Sequence, residues 1–172
     1  MPVTRPFLQW PDARLRSMAE PVAEVTDEIR TIWDEMLAAM YAMPVGGPGV
    51  GLAAPQIGVM LRLAVVDAGT KREALRMANP EIIKASTIFN DHDEGSPNLP
   101  GLYAKLSRPE SVTMRYLDEH GTLVEKALSG LWARSAQHQI DHLNGRMFFD
   151  RLGPVKRKML IARHLKQQKR GR

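Results

Sequence analysis

The sequence predicts an α+β fold in one domain spanning residues 1–172, on three observations. An early segment keeps apolar residues at helical spacing, two strand-like runs flank a turn signal further on, and a second helical pattern follows them. In the first helix Thr26 or Asp27 can cap the leading N–H groups, and Asp27 and Glu28 suit the positive end of the dipole. Ile29, Ile32, Trp33, Met36, Leu37 and Met40 form its apolar face. The helix should end near Met43, ahead of Pro44 and the glycine-rich Gly46-Gly47-Pro48-Gly49-Val50-Gly51. Leu61 to Val66 is a short apolar run that stops at Asp67. Ser111 to Leu117 and Thr122 to Leu128 flank Asp118-Glu119-His120-Gly121, which reads as a hairpin. Leu131 to Leu143 is the second helix, closed by Asn144-Gly145. After Pro154, the residues Val155, Met159, Leu160, Ile161 and Leu165 allow a third, and 154–172 is expected to be a basic C-terminal helix or tail.

Hydrophobic residues make up 44% of the chain and charged residues 25%, proportions that allow a packed core. No apolar run approaches the roughly 18 residues of a membrane span. Met1 to Trp10 mixes Pro and Arg with apolar residues and has no secretory core. The expectation is a cytoplasmic protein without a membrane partner. Cysteine is absent, which excludes disulfides, thiol nucleophiles and thiolate metal ligands together. The net charge of +5 is segregated: eight of the 24 Lys and Arg fall in 156–172, leaving 16 against 19 acidic residues elsewhere. A basic tail on a mildly acidic body suits an anionic partner such as RNA, but from charge alone a solvated terminal helix is the simpler reading.

Three segments carry chemistry. In Gly49-Val50-Gly51-Leu52-Ala53-Ala54-Pro55-Gln56-Ile57-Gly58 small residues let another chain approach the backbone, and Gln56 offers an amide donor to a carbonyl oxygen. A tight turn accounts for it equally well. Glu94-Gly95-Ser96-Pro97-Asn98-Leu99-Pro100-Gly101 alone reads as a loop. His138-Gln139-Ile140-Asp141-His142 puts two histidines on one helical face, where they can grip one metal ion. Without a glutamate after the first histidine, such a pair is more often structural.

Taken in order, these segments resemble the GxGxAAxQ, EGCLS and HExxH motifs of the peptide deformylase family. Pro11-Asp12-Ala13-Arg14-Leu15-Arg16 is similar to the family's PDxRLR segment, and the resemblance covers nearly the whole chain. It implies mixed or antiparallel sheets around a central helix that bears the histidine pair. It further implies a divalent metal, Fe(II), Zn or Ni, held by the EGCLS Cys and both His, and removal of the formyl group from the N-terminal methionine of nascent chains. The HExxH Glu would move the proton; the Gln of the first motif and the N–H of the EGCLS Leu would hold the oxyanion. Carried onto this chain, the metal positions are Ser96, His138 and His142, the base position is Gln139, and the oxyanion positions are Gln56 and Pro97. Gly49, Val50, Gly51 and Leu52 would bind the peptide.

The departures all touch the chemistry. Ser96 stands where the family has its thiolate, and a neutral hydroxyl binds these metals weakly. Pro97 has no N–H to give an oxyanion. Gln139 cannot take a proton at neutral pH. The expectation is a family member with lost or strongly impaired deformylation and no tightly held metal. Binding of nascent formyl-peptides, and of ribosomal RNA through the tail, would remain open to it. The alternative is an active metal-dependent deformylase with an altered site, in which Asp91, His92 or Asp93 joins the two histidines.

Overall fold

The computed structural model describes residues 5–43 and 50–171. Thr26 caps the first helix, its hydroxyl accepting from the Ile29 N–H at 3.4 Å, and α1 runs over Asp27–Tyr41. Its apolar face buries Trp33, Met36 and Met40 completely. The glycine-rich stretch expected beyond it lies outside the described residues as far as Gly49.

From Gly51 the chain builds β1 (Gly51–Ala53), β2 (Leu63–Val66) and β3 (Leu75–Ala85). The strands β4 (Phe89–Gly95) and β5 (Tyr103–Pro109) follow, then β6 (Ser111–Leu117) and β7 (Leu123–Ser129). Five of them form one sheet in the order β1-β2-β3-β6-β7, and β4 pairs with β5 in a second. All these named pairs are antiparallel; a parallel contact occurs as an isolated bridge between Glu20 and Leu61. The α+β class and the hairpin are therefore as expected, with Ser111–Leu117 reproduced and the returning strand shifted by one residue.

Alternation along the strands divides the core. Leu52, Leu63 and Val65 face α1, whereas Ala53, Ala64 and Val66 face α2 (Gly130–Leu143). The small residues on the second side let α2 lie close to the sheet, where it packs against β1, β2, β6 and β7. Asn144 closes it and Gly145 reverses the chain at φ 71°; a Cβ there would meet the Arg16 carbonyl oxygen at 2.6 Å. A third cluster joins Leu15, Leu99, Leu102, Leu106, Met147, Phe148 and Phe149 to Leu160 of α3 (Pro154–Arg170).

The basic helix is not independent of the body: Leu160 and His164 are buried, and the His164 ring lies 3.2 Å from the Trp10 carbonyl. Most of its cations, including Lys156, Lys158, Arg163, Lys166, Lys169 and Arg170, remain exposed.

Candidate active site

Helix α2 supplies most of the site because Arg134, His138, Asp141 and His142 recur at three- and four-residue intervals and share one face. All four are buried. Strand β4 brings Glu94 beneath that face at its inner end. Its carboxylate accepts from Arg108 Nε at 2.5 Å, Arg108 Nη2 at 2.8 Å and Arg134 Nη1 at 2.6 Å, and lies 2.8 Å from His138 Nδ1. Burial alone would raise the Glu94 carboxyl, but the bonds from Arg108 and His138 outweigh it and hold the group well below the usual carboxylate range. An ionised Glu94 has no proton to give, so His138 Nδ1 is the donor in that contact.

His138 Nε2 lies 3.1 Å from His142 Nε2. Burial, then repulsion from His138 and Arg108, pushes His142 well below its ordinary value, so the ring is a neutral imidazole. At 3.1 Å the rings are in hydrogen-bond contact; two nitrogens each ~2.1 Å from a tetrahedral ion would be about 3.4 Å apart, so a small opening of the pair would let both reach one ion. Glu94 behind His138 gives the orienting contact that such ligands use.

The third donor does not fit. Ser96 donates from its hydroxyl to Asn98 Oδ1 at 2.9 Å and remains a neutral oxygen. Among the described residues no group of three His, Cys, Asp or Glu side chains could hold an ion, so Asp91, His92 and Asp93 do not complete a set with the histidines. Two imidazoles and a hydroxyl are a poor match to Fe(II), Zn or Ni, which here lack the charged or soft third ligand that secures them.

Gln56 and Pro97 do reach the site. Gln56 Oε1 accepts from the Ala53 N–H at 2.8 Å, which turns its Nε2 toward Asn98 Oδ1 at 2.8 Å and Ser96 Oγ at 3.4 Å. One of its two N–H groups is thus taken by Asn98. Pro97 lines the cleft, and its carbonyl accepts from Gln9 Nε2 at 3.2 Å. Gln139 also lines the cleft, with Nε2 3.4 Å from Ser135 Oγ. Val50 and Gly51 border the same space, a cleft of about 560 Å³. Gly49 lies outside the described residues. Leu52 buries its side chain in the core against α1 and leaves its backbone to serve a groove.

Three residues escaped the sequence reading. Asn98, fully buried, also donates to the carbonyls of Leu8 at 2.6 Å and Gln56 at 3.1 Å. Ser135 donates to the Val50 carbonyl at 3.0 Å and ties α2 to the start of β1. Asp141 is paired with Arg151 at 2.6 and 2.7 Å. The shared helical spacing of Arg134, His138 and Asp141 was the available signal; nothing local marked Asn98.

A histidine pair on a buried helix, with one ring oriented by a carboxylate and bordering a cleft, is an arrangement found in metal-dependent hydrolases. The Polypeptide deformylase family profile matches residues 4–158. The chain is 42% identical over 172 residues to a peptide deformylase of Rhodopseudomonas palustris, covering 97% of this chain and 96% of that one. Its fold matches a peptide deformylase from Legionella pneumophila with a TM-score of 0.87 at 42% identity, over 98% of this chain and 96% of the other. It also matches the Met-Ala-Ser-bound class I type b peptide deformylase from Acinetobacter baumannii, with a TM-score of 0.82 at 31% identity over 88% and 100%. The chain belongs to the peptide deformylase family, whose members are metal-dependent deformylases acting on formyl-peptides of nascent chains.

Proposed function

We propose that this chain keeps the family's peptide cleft and binds the formylated N-terminus of an extended chain without hydrolysing it. One observation carries the reading: the three positions from which the family draws its third metal ligand, its base and its backbone oxyanion donor hold Ser96, Gln139 and Pro97. The buried carboxylate of the cleft does not replace the base. Glu94, the buried carboxylate of the cleft wall, is saturated by Arg108, Arg134 and His138, and a carboxylate held so far below its usual range is a weak proton acceptor. The binding half of the reading is supported by β1, which lies at the edge of its sheet and can pair with an added extended chain, and by the tripeptide held in the Acinetobacter relative.

A second reading, an active deformylase with an altered metal site, is favoured by the near-full-length identity to proteins named peptide deformylase. Metal content separates the two. Protein purified without chelator is expected to hold far less than one equivalent of transition metal, measured by elemental analysis beside a formyl-peptide assay. A stoichiometric, slowly exchanging ion would favour the second reading.

The basic helix is proposed to bind ribosomal RNA. Because Leu160 and His164 are part of the core, truncation would disturb the body as well as the charge. Replacing Lys166, Lys169 and Arg170 with Gln removes three exposed cations and leaves the buried side intact. Co-sedimentation with ribosomes should fall steeply with salt for the parent chain and drop at every salt for the variant. Equal sedimentation of the two would reduce α3 to a solvated helix.

A further inference from the structure

Asn98 is wholly buried, and both polar atoms of its side chain are matched twice over. Its Nδ2 faces the carbonyls of Leu8 at 2.6 Å and Gln56 at 3.1 Å, which can only accept, so Oδ1 is the opposite arm. That arm accepts from Ser96 Oγ at 2.9 Å and from Gln56 Nε2 at 2.8 Å. Gln56 is fixed in turn, because its own Oε1 meets the Ala53 N–H. Backbone bonds run alongside: the Leu8 N–H donates to the Gln56 carbonyl and the Trp10 N–H to the Asn98 carbonyl, both at 2.9 Å. Gln9 Nε2 adds a bond to the Pro97 carbonyl at 3.2 Å. One carboxamide thus joins three segments that are far apart in sequence, 7–10, 53–56 and 96–99.

The same loop has no corresponding tie to α2. Among the described residues the hydrogen bonds of Ser96 run to Gln56, Asn98 and Leu99, and none reaches His138 or His142. An ion held by residue 96 and both histidines would cross-link the loop to the helix, but a neutral hydroxyl is a poor third donor for one. We propose that Asn98 replaces that cross-link. It pins the loop 96–99 to the turn after β1 and to the N-terminal segment, so the loop and Gln56 keep their places with no ion bound. Asn98 is in this sense a positioning residue for Gln56. Other side chains at 98 serve less well: a serine ends one bond short of these partners, and an aspartate has no donor for the two carbonyls. The claim rests on the poor fit of Ser96 to an ion and not on peptide binding, so the two are decided by different assays.

The test compares the full chain with Asn98→Ser, each with and without EDTA, by hydrogen exchange read by mass spectrometry over 7–10 and 96–99. The parent should exchange identically with and without the chelator. Asn98→Ser should exchange at least about tenfold faster in both segments while α1 keeps its protection, the scale of losing one or two buried hydrogen bonds locally. An asparagine that only supports the fold would instead lower protection everywhere together. Metal rescue gives a second readout. With Ser96→Cys added to Asn98→Ser, zinc should slow exchange of 96–99 back toward the parent rate, because a thiolate and two histidines can close the loop on α2. Zinc should leave Asn98→Ser by itself unchanged. If Asn98→Ser does not fold, the double variant decides: folding that requires zinc supports the proposal, and failure to fold in zinc overturns it. A parent loop that exchanges faster in EDTA, a uniform loss of protection in Asn98→Ser, zinc rescue of that single variant, or no rescue of the double variant also overturns it.

Discussion

Formyl-methionyl peptide should emerge from incubation with this chain unhydrolysed above background. Loss of a general base removes roughly 10²–10⁴ in rate, and loss of one oxyanion donor about 10²–10³. The two act on one transition state, together with the metal, and are not multiplied; either alone suffices to suppress useful turnover. Gln139→Glu should therefore fail to rescue, because Ser96 still offers a neutral oxygen and Pro97 still has no N–H. Ser96→Cys, Pro97→Leu and Gln139→Glu together should give measurable turnover and raise bound metal, since the histidine spacing and the Glu94 contact are already in place. A formate-release assay on the parent and on the single and triple variants checks this. Efficient hydrolysis by the parent would refute the binding-only reading.

Arg108→Ala should destabilise the fold by about 1.5–3 kcal/mol, the scale of losing hydrogen bonds to a buried charged group that keeps other partners. A surface ion pair would give about 0–1 kcal/mol. Arg108 is fully buried and holds Glu94 through two bonds. Its Nη1 lies 3.1 Å from Asp141 Oδ2, close enough for charge attraction but off the angle of a hydrogen bond. Without it Glu94 keeps Arg134 and His138, and Asp141 keeps Arg151, so the charges are not stranded but the space between them is. Urea unfolding of parent and variant measures the difference. Coincident curves would dismiss the pair as structural support.

Helices were legible in the sequence because each carries its own signal. Thr26 announces α1, the 29–40 apolar face sustains it, and Asn144-Gly145 ends α2 within one residue of expectation. The β6–β7 hairpin was legible for the same reason, a turn signal between two runs of strand-like residues. The strands β3 and β4 were not. In β3, Asn79-Pro80 interrupts the strand-like run: the register shifts between Ala78 and Glu81 and Asn79 turns to φ 51°. There its side chain bonds both the N–H and the carbonyl of Val22 at 2.8 Å. Phe89-Asn90-Asp91-His92-Asp93-Glu94-Gly95 has no alternation to read because only Glu94 of its side chains is buried. Its pairing with β5 across the motif loop makes it a strand.

The sequence by itself determined the family and the identity of what is missing. The order and spacing of three motifs survive without tertiary contacts, and the absence of a thiol from the whole chain cannot be altered by folding. Only the tertiary structure decided what the substituted residues do. Asn98 captures one Gln56 N–H and the Ser96 hydroxyl, Leu52 turns into the core, Asp91 to Asp93 complete no metal-holding group with the histidines, and α3 is anchored through Leu160. Apart from the local Ser96–Asn98 bond, these outcomes depend on partners distant in sequence or on which face of a strand the pleat presents. A side chain's chemistry is fixed by its own atoms, but its role is set by the donors, acceptors and apolar surfaces that the fold brings within about 3–4 Å of it.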